Sequence, residues 1–396
     1  MKNNRVANSD LWTRDVILLT LTVFLARFGQ GIHGGISTNF YVNDLGLGGD
    51  GVLWLAGIRE IPGLTLVFLA ALVMHLPQSQ RAFFSLLLMG LGYGCYVFVR
   101  SFGSLVTMAV IASIGFHNWL PLQSSIAMGL VGKDLSGRVL GRMNSAGALA
   151  SIGGMIVIVL FTKRFGLRPF FVVGGVLMVA SAFVAFRLPR SIGADSATVQ
   201  RIIFRKRYWL YYILTFFEGS RTQVFHAFGA WVLVDRYGLD ARTISIVLIL
   251  SGAANFLVAP FLGKWIDKFG ERRSLTLSYL ALALSFVGYA TVNNAVGLSG
   301  LFIAIRLLVL TRIGLHSYIN RIAPAEDLTP TLSAGVSINH ITSVGMSLVA
   351  GTLLRIVGYQ TLCWGAAGII LLSVPFAVAI RITAPAEPKD DSSHIK

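Results

Sequence analysis

The stretch "GKWIDKFGERR", Gly263 to Arg273, separates two long apolar runs. Asp267 closes the first run, with Lys264, Lys268, Arg272 and Arg273 around it, and Gly270 stands where the chain must turn before the second. An acid at the end of an apolar helix can engage a neighbouring helix end or a basic cluster. Basic residues at such a turn mark the cytoplasmic side of a membrane. The stretch reads as a tight turn between two membrane-crossing helices.

Working outward, the 396 residues are 55% hydrophobic and 13% charged, with a mean hydropathy of +0.72. A soluble chain carries about 25% charged residues. The apolar blocks exceed the roughly 18 residues needed to cross a bilayer core, so the fold class is all-α membrane protein, with backbone groups satisfied within helices. Twelve spans are predicted, at about 15–40, 52–74, 82–99, 103–131, 140–162, 168–187, 208–234, 243–266, 274–292, 297–319, 331–354 and 360–381. The net charge of +16 and pI near 10.3 raise the question of nucleic acid. Most Lys and Arg instead fall on alternate loops, densest at Arg201, Arg205, Lys206 and Arg207. That is a topology signal, which places both termini in the cytoplasm and excludes a nucleic-acid partner. The cysteines, Cys95 and Cys363, both lie in apolar spans, so no disulfide framework is implied. The polar start is not a cleavable signal, and the tail "AEPKDDSSHIK" reads as disordered.

The polar stretch "LPRSIGADSATVQRIIFRKRY" divides the spans six and six. The expected domains are an N-terminal six-helix bundle over residues 1–187, a cytoplasmic central loop over 188–207, and a C-terminal bundle over 208–396. A shift of about 192 residues superimposes the halves: "NDLGL" at 43–47 falls on "DRYGL" at 235–239, Arg81 on Arg273, and "RFGLRPF" on "RIVGYQT" near 166 and 358. Six-span repeats of this kind characterise a large class of secondary transporters.

Gly263, Asp267, Lys268, Gly270, Arg272 and Arg273 together resemble the signature loop of the major facilitator superfamily: Gly, three residues, Asp, a basic residue, any residue, Gly, then basic residues. The resemblance implies two pseudo-symmetric six-helix bundles that alternate access to a central cavity. It also implies a gating role for Asp267, Gly263 and Arg273. The first-half equivalent, "ALVMHLPQSQR", departs from the pattern, with His75 where an acid is expected. "GRVLGRMNSAGALASIGG" (137–154) loosely resembles the close-packing helix of exchanger-type members.

Seven charged residues lie within spans, Arg27, Arg59, Glu60, Glu218, Arg221, Arg306 and Arg312, the last nearer the cytoplasmic end of its span. Unpaired, they would cost roughly 17–25 kcal/mol on an insertion scale, so they pair or face water. Arg27 lies about 12 residues into its span, roughly 18 Å deep and beyond snorkelling reach. All seven fall on spans 1, 2, 7 and 10. The resemblance implies that spans 1, 4, 7 and 10 line the cavity.

Five arginines against two glutamates suit a carboxylate or phosphate, because guanidinium presents a planar fork to either. The expected substrate contacts are Arg27, Gln30, Arg221 and Arg306, completed by Trp119 and Asn339. Glu218 and Arg221 are three apart on one helix and can pair. An anion competing for that arginine would leave Glu218 free to take a proton. Glu60 is the second proton-coupling candidate. Adjacent Arg59 points about 100° away and is read as a gating residue, and Pro62 implies a kink. Gly31 and Gly35 form a small-xxx-small pair for close helix packing.

No phosphate-binding loop, metal-ligand spacing or catalytic constellation stands out, so no enzyme, metal or cofactor is expected. The expected function is proton-coupled export or exchange of a small organic or phosphorylated anion, by a monomer in a bacterial inner membrane. The alternatives are proton-driven efflux of amphipathic drugs and a receptor or assembly component of this fold that does not transport.

Overall fold

The computed structural model describes residues 13–66, 72–131, 133–192 and 204–382. Residues 193–203 of the expected central loop, Arg201 among them, and the expected disordered tail from residue 383 lie outside the described residues. Among the described residues the chain is helical and contains no strand.

Helix α1, Arg14–Asn39, is capped by the Thr13 hydroxyl, which accepts from the Val16 amide. Five residues of π-helix follow. Helix α2 is Gly49–Leu64, α3 Gln78–Gly94, α4 Phe102–Leu130, α5 Lys133–Phe165 and α6 Arg168–Phe186. A capping box between Ser101 and Ser104 opens α4. Helix α7 is Trp209–Asp235, α8 Ala241–Thr291, α9 Ala295–Val309, α10 Ile313–Ile322 and α11 Ala325–Val378.

Two of these elements hold more than one crossing length. The 51 residues of α8 would run about 77 Å if straight, over twice the ~30 Å hydrocarbon core. Gly270, at φ 79°, breaks α8 into two limbs, and Gly358, at φ 75°, does the same to α11. Only glycine enters this region without strain. The turn read at Gly270 from the sequence is therefore present.

The internal repeat is visible in the backbone. Gly46 and Gly238 have φ 64° and 66°, and Gly166 and Gly358 have φ 72° and 75°. Each pair is separated by the 192 residues that align the halves. The same shift takes the Leu47 amide bond to the Tyr41 carbonyl onto that of Leu239 to Leu233. Gly270 is the exception, because its counterpart is Gln78, the first residue of α3.

Among the described residues, eight helical stretches are long and apolar enough to cross a membrane. Helices α2 and α7 are not among them. Helix α2 covers Gly49–Leu64 of the span expected at 52–74, and residues 67–71 lie outside the described residues. Helix α7 carries Glu218 and Arg221 at its centre. The span expected at 297–319 is interrupted by a turn of 3₁₀-helix, Leu310–Arg312. Large apolar side chains such as Phe98, Leu160, Leu284 and Ile356 stand exposed on the outer surface, as lipid-facing positions do.

The halves meet through α2 with α11, α5 with α8, and α1 with α8. Their seam is tight where the 40–49 and 235–241 turns lie. The Asn39 amide donates to the Leu239 carbonyl at 2.8 Å, and Asp50 pairs with Arg355 at 3.5 Å. Gly49 fits against Trp231 and Leu354, and Gly351 against Trp54.

Candidate functional site

The sequence read glycines at 31 and 35 as close-packing positions. A Cβ on Gly31 would lie 2.1 Å from the Ser151 carbonyl oxygen of α5, and one on Gly154 would lie 2.3 Å from that of Phe28. Helices α1 and α5 are in backbone contact there. Gly35 faces Ser245 and Ile158, whereas Gly34 meets open space. This packing fixes α1 and leaves Arg27 and Gln30 bonded to each other at 3.2 Å. Gln30 also donates to the Met89 sulfur at 3.3 Å.

Glu60 lies on α2, between the halves. Its Oε2 is 3.0 Å from His340 Nδ1 of α11 and 3.7 Å from His117 Nε2 of α4. Arg59 points elsewhere, as helical geometry requires, and donates to the Tyr93 hydroxyl at 3.0 Å. Its Nε finds no hydrogen-bond partner among the described residues.

Glu218 on α7 has a different set of partners. Asn339 donates to its Oε2, Thr222 to its Oε1 at 3.1 Å, and Arg312 stands 3.8 Å away. The pairing of Glu218 with Arg221 read from the sequence is therefore corrected. The Arg221 guanidinium lies 4.1 Å over the Tyr279 ring on the second limb of α8, a cation–π contact that turns it away from the carboxylate. Asn339, expected at the substrate, spends its amide on Glu218.

Arg306 donates through Nε to Ser251 at 3.0 Å. Among the described residues neither Arg27, Arg221 nor Arg306 has a carboxylate within ion-pair distance. Trp119 is 2% exposed, inside the packed core.

Sequence reasoning did not single out His226. Its side chain is exposed although α7 is surrounded, and it lies within electrostatic reach of Arg306, Arg312 and Glu60. Its spacing from Glu218, eight residues on the same helix, was the available signal.

In the signature loop, Asp267 is 76% exposed and 3.5 Å from Arg321 at the end of α10. The firmer partner of Arg321 is Glu271, fully buried, at 2.7 Å, and Glu271 also accepts from Ser317 at 2.6 Å. The sequence reading passed over Glu271. Gly263 meets open space and Arg273 is exposed. The basic cluster goes to a third acid: Arg205 Nε is 2.8 Å from Asp327, which Arg207 and Tyr208 also bind.

The chain matches the Major Facilitator Superfamily over residues 19–315 and 211–396. It belongs to that family of transporters. A chloramphenicol resistance protein of Streptomyces lividans is 25% identical over 338 residues, spanning 80% of this chain and 84% of that one. The crystal structure of the nucleoside transporter NupG superimposes with a TM-score of 0.76 at 15% identity, covering 93% of this chain and 99% of the other. The D-xylose–proton symporter superimposes with a TM-score of 0.69 at 14% identity, covering 92% and 97%. At such identities the structural likeness concerns the fold.

Proposed function

We propose that the chain is a proton-coupled exporter or exchanger of a small organic or phosphorylated anion. It would cross the cell membrane twelve times as two six-helix bundles, with both termini in the cytoplasm, and work as a monomer by alternating access. The observation that carries the reading is the imbalance of charge. Glu60 is occupied by two histidines and Glu218 by Arg312, Asn339 and Thr222, while Arg27, Arg221 and Arg306 are left without a carboxylate. Half-buried guanidinium groups of this kind are stabilised by an anionic ligand.

In this reading Arg306 and Arg312 receive the anion around His226, with Arg27 opposite on the first half. As the anion draws Arg312 away, Glu218 loses its cationic partner, and a proton takes its place. Return of Arg312 expels the proton. Binding of anion and proton is thereby linked through one side chain, as reciprocity of coupling requires. The Arg321–Glu271–Asp267 cluster would latch the second half at its cytoplasmic face, with Gly263 and Arg273 shaping the same turn.

A second reading, efflux of amphipathic drugs, is favoured by one observation, the chloramphenicol resistance relative. The test is pH-gradient dissipation in proteoliposomes challenged with matched organic anions, organic cations and neutral amphiphiles. Anion-evoked proton movement that disappears in Glu218→Gln is expected. Movement evoked by cations or neutral amphiphiles alone sinks the anion reading and leaves the drug exporter.

A further inference from the structure

The Glu60 cluster has a feature that the proposed transport cycle does not use. Glu60 Oε2, His117 Nε2 and His340 Nδ1 converge so that all three atoms lie within 4.8 Å of one another. Ligand atoms around a tetrahedral zinc ion at 2.0–2.2 Å stand about 3.3 Å apart. The 3.0 and 3.7 Å separations about Glu60 already bracket that value.

The surroundings are arranged as a metal ligand set requires. His117 is buried, and its Nδ1 lies 3.0 Å from the Ser113 carbonyl oxygen and 3.0 Å from the Ser113 hydroxyl. Donation from Nδ1–H to that carbonyl fixes the tautomer in which Nε2 carries a free lone pair, aimed at Glu60. The Ser113 hydroxyl is itself anchored on the Arg59 carbonyl, next to Glu60 in the chain. The two imidazole rings stand 5.4 Å apart at 68° and do not stack. Room between them comes from Gly63, one helical turn after Glu60: a Cβ there would lie 2.6 Å from both His117 and His340.

We propose that Glu60, His117 and His340 form a binding site for a borderline divalent transition-metal ion of the Zn²⁺ type. Two imidazoles and one carboxylate suit that class of ion, and three protein ligands leave a position open to water or to a group on the substrate. The ligands come from α2 and α4 of the first half and from α11 of the second, so a bound ion would tie the halves together. The inference does not depend on the nature of the transported solute.

The test uses the full-length protein in detergent, titrated with Zn²⁺ by calorimetry and with Co²⁺ by visible absorption. One high-affinity equivalent is expected, together with an intense Co²⁺ spectrum of four- or five-coordinate type that Zn²⁺ displaces. Glu60→Gln, His117→Gln and His340→Gln should each weaken binding by at least about tenfold. His75→Gln, on an exposed turn, should leave binding unchanged. A Co²⁺ spectrum no different from the aqueous ion overturns the site even if a variant fails to fold. So does wild-type affinity in any of the three ligand variants, or an equal loss in His75→Gln.

Discussion

The two carboxylates held between the helices stand at unrelated positions of the repeat, Glu60 falling on Gly252 and Glu218 on Ala26 under the 192-residue shift. Glu60 faces two imidazoles, one from each half of the chain, whereas Glu218 faces a permanent cation, an amide and a hydroxyl. The first set can offer lone pairs to a metal ion; the second can respond only by moving Arg312 or by taking a proton. A repeat that preserves backbone turns to within a few degrees, at Gly46 and Gly238 and at Gly166 and Gly358, has therefore diverged in its polar interior. The scaffold constrains the turns, and the chemistry is free to differ.

The sharpest way to break this comparison is to neutralise each acid in turn. Glu218→Gln should lower substrate-evoked proton flux to that of protein-free vesicles, while Glu60→Gln keeps it within about threefold of wild type, a difference of under 1 kcal/mol in barrier. Equal loss in both would mean that the two sites share one task. Next in size is Arg312→Gln, expected to raise KM for the anion about tenfold, about 1.4 kcal/mol. Arg312→Lys should recover only part of this, because an ammonium lacks the planar fork. A KM unchanged by either would remove Arg312 from the anion site.

The packing of the halves differs as well. Gly31→Ala brings a Cβ onto the Ser151 backbone and should cost about 1–3 kcal/mol of stability. The counterpart of Gly31 under the 192-residue shift is Gln223, and Gln223→Ala should stay within about 0.5 kcal/mol. Thermal unfolding of both variants in detergent compares them directly.

The smallest effect is at a helix cap. Asp240 caps α8 by accepting from Thr243, while the corresponding residue before α2, Gly48, offers no side-chain cap. The Thr243 hydroxyl hydrogen bond, and then its amide, hold the Asp240 carboxyl below its ordinary value. Its stabilisation is therefore full above the unfolded value near 3.9 and fades as pH falls through the folded one. Asp240→Ala should cost about 1 kcal/mol at neutral pH, and the gap should close in acid when unfolding midpoints are followed from pH 7 to 3.

What the sequence disclosed follows from range. Periodicity, glycine turns and the 192-residue shift are local or repeated signals: they located the turn at Gly270 and paired the segments that hold Gly46 with Gly238 and Gly166 with Gly358. Which charges lie in spans was equally legible, because each is conspicuous against apolar neighbours. Their partners were not. Arg221 found an aromatic face on α8, and Glu218 found Asn339 and Arg312, which are 121 and 94 residues away in the chain. Glu271 was hidden among the basic residues of the signature loop, although burial makes it the anchor of Arg321. The approach of His117 and His340 to Glu60 has no sequence spacing to betray it.

That last meeting also governs how the protein is made. Glu60 precedes His340 by 280 residues. At roughly 5–20 residues per second, about 14–56 s of synthesis separate the emergence of the carboxylate from that of its partner. Helix α7 is meanwhile too polar at its centre to stand, among the described residues, with the segments long and apolar enough to cross a membrane. Its Glu218 gains the Asn339 amide only once α11 has been made. The residues that equip the interior for chemistry are thus the ones that make assembly of the chain wait for its end.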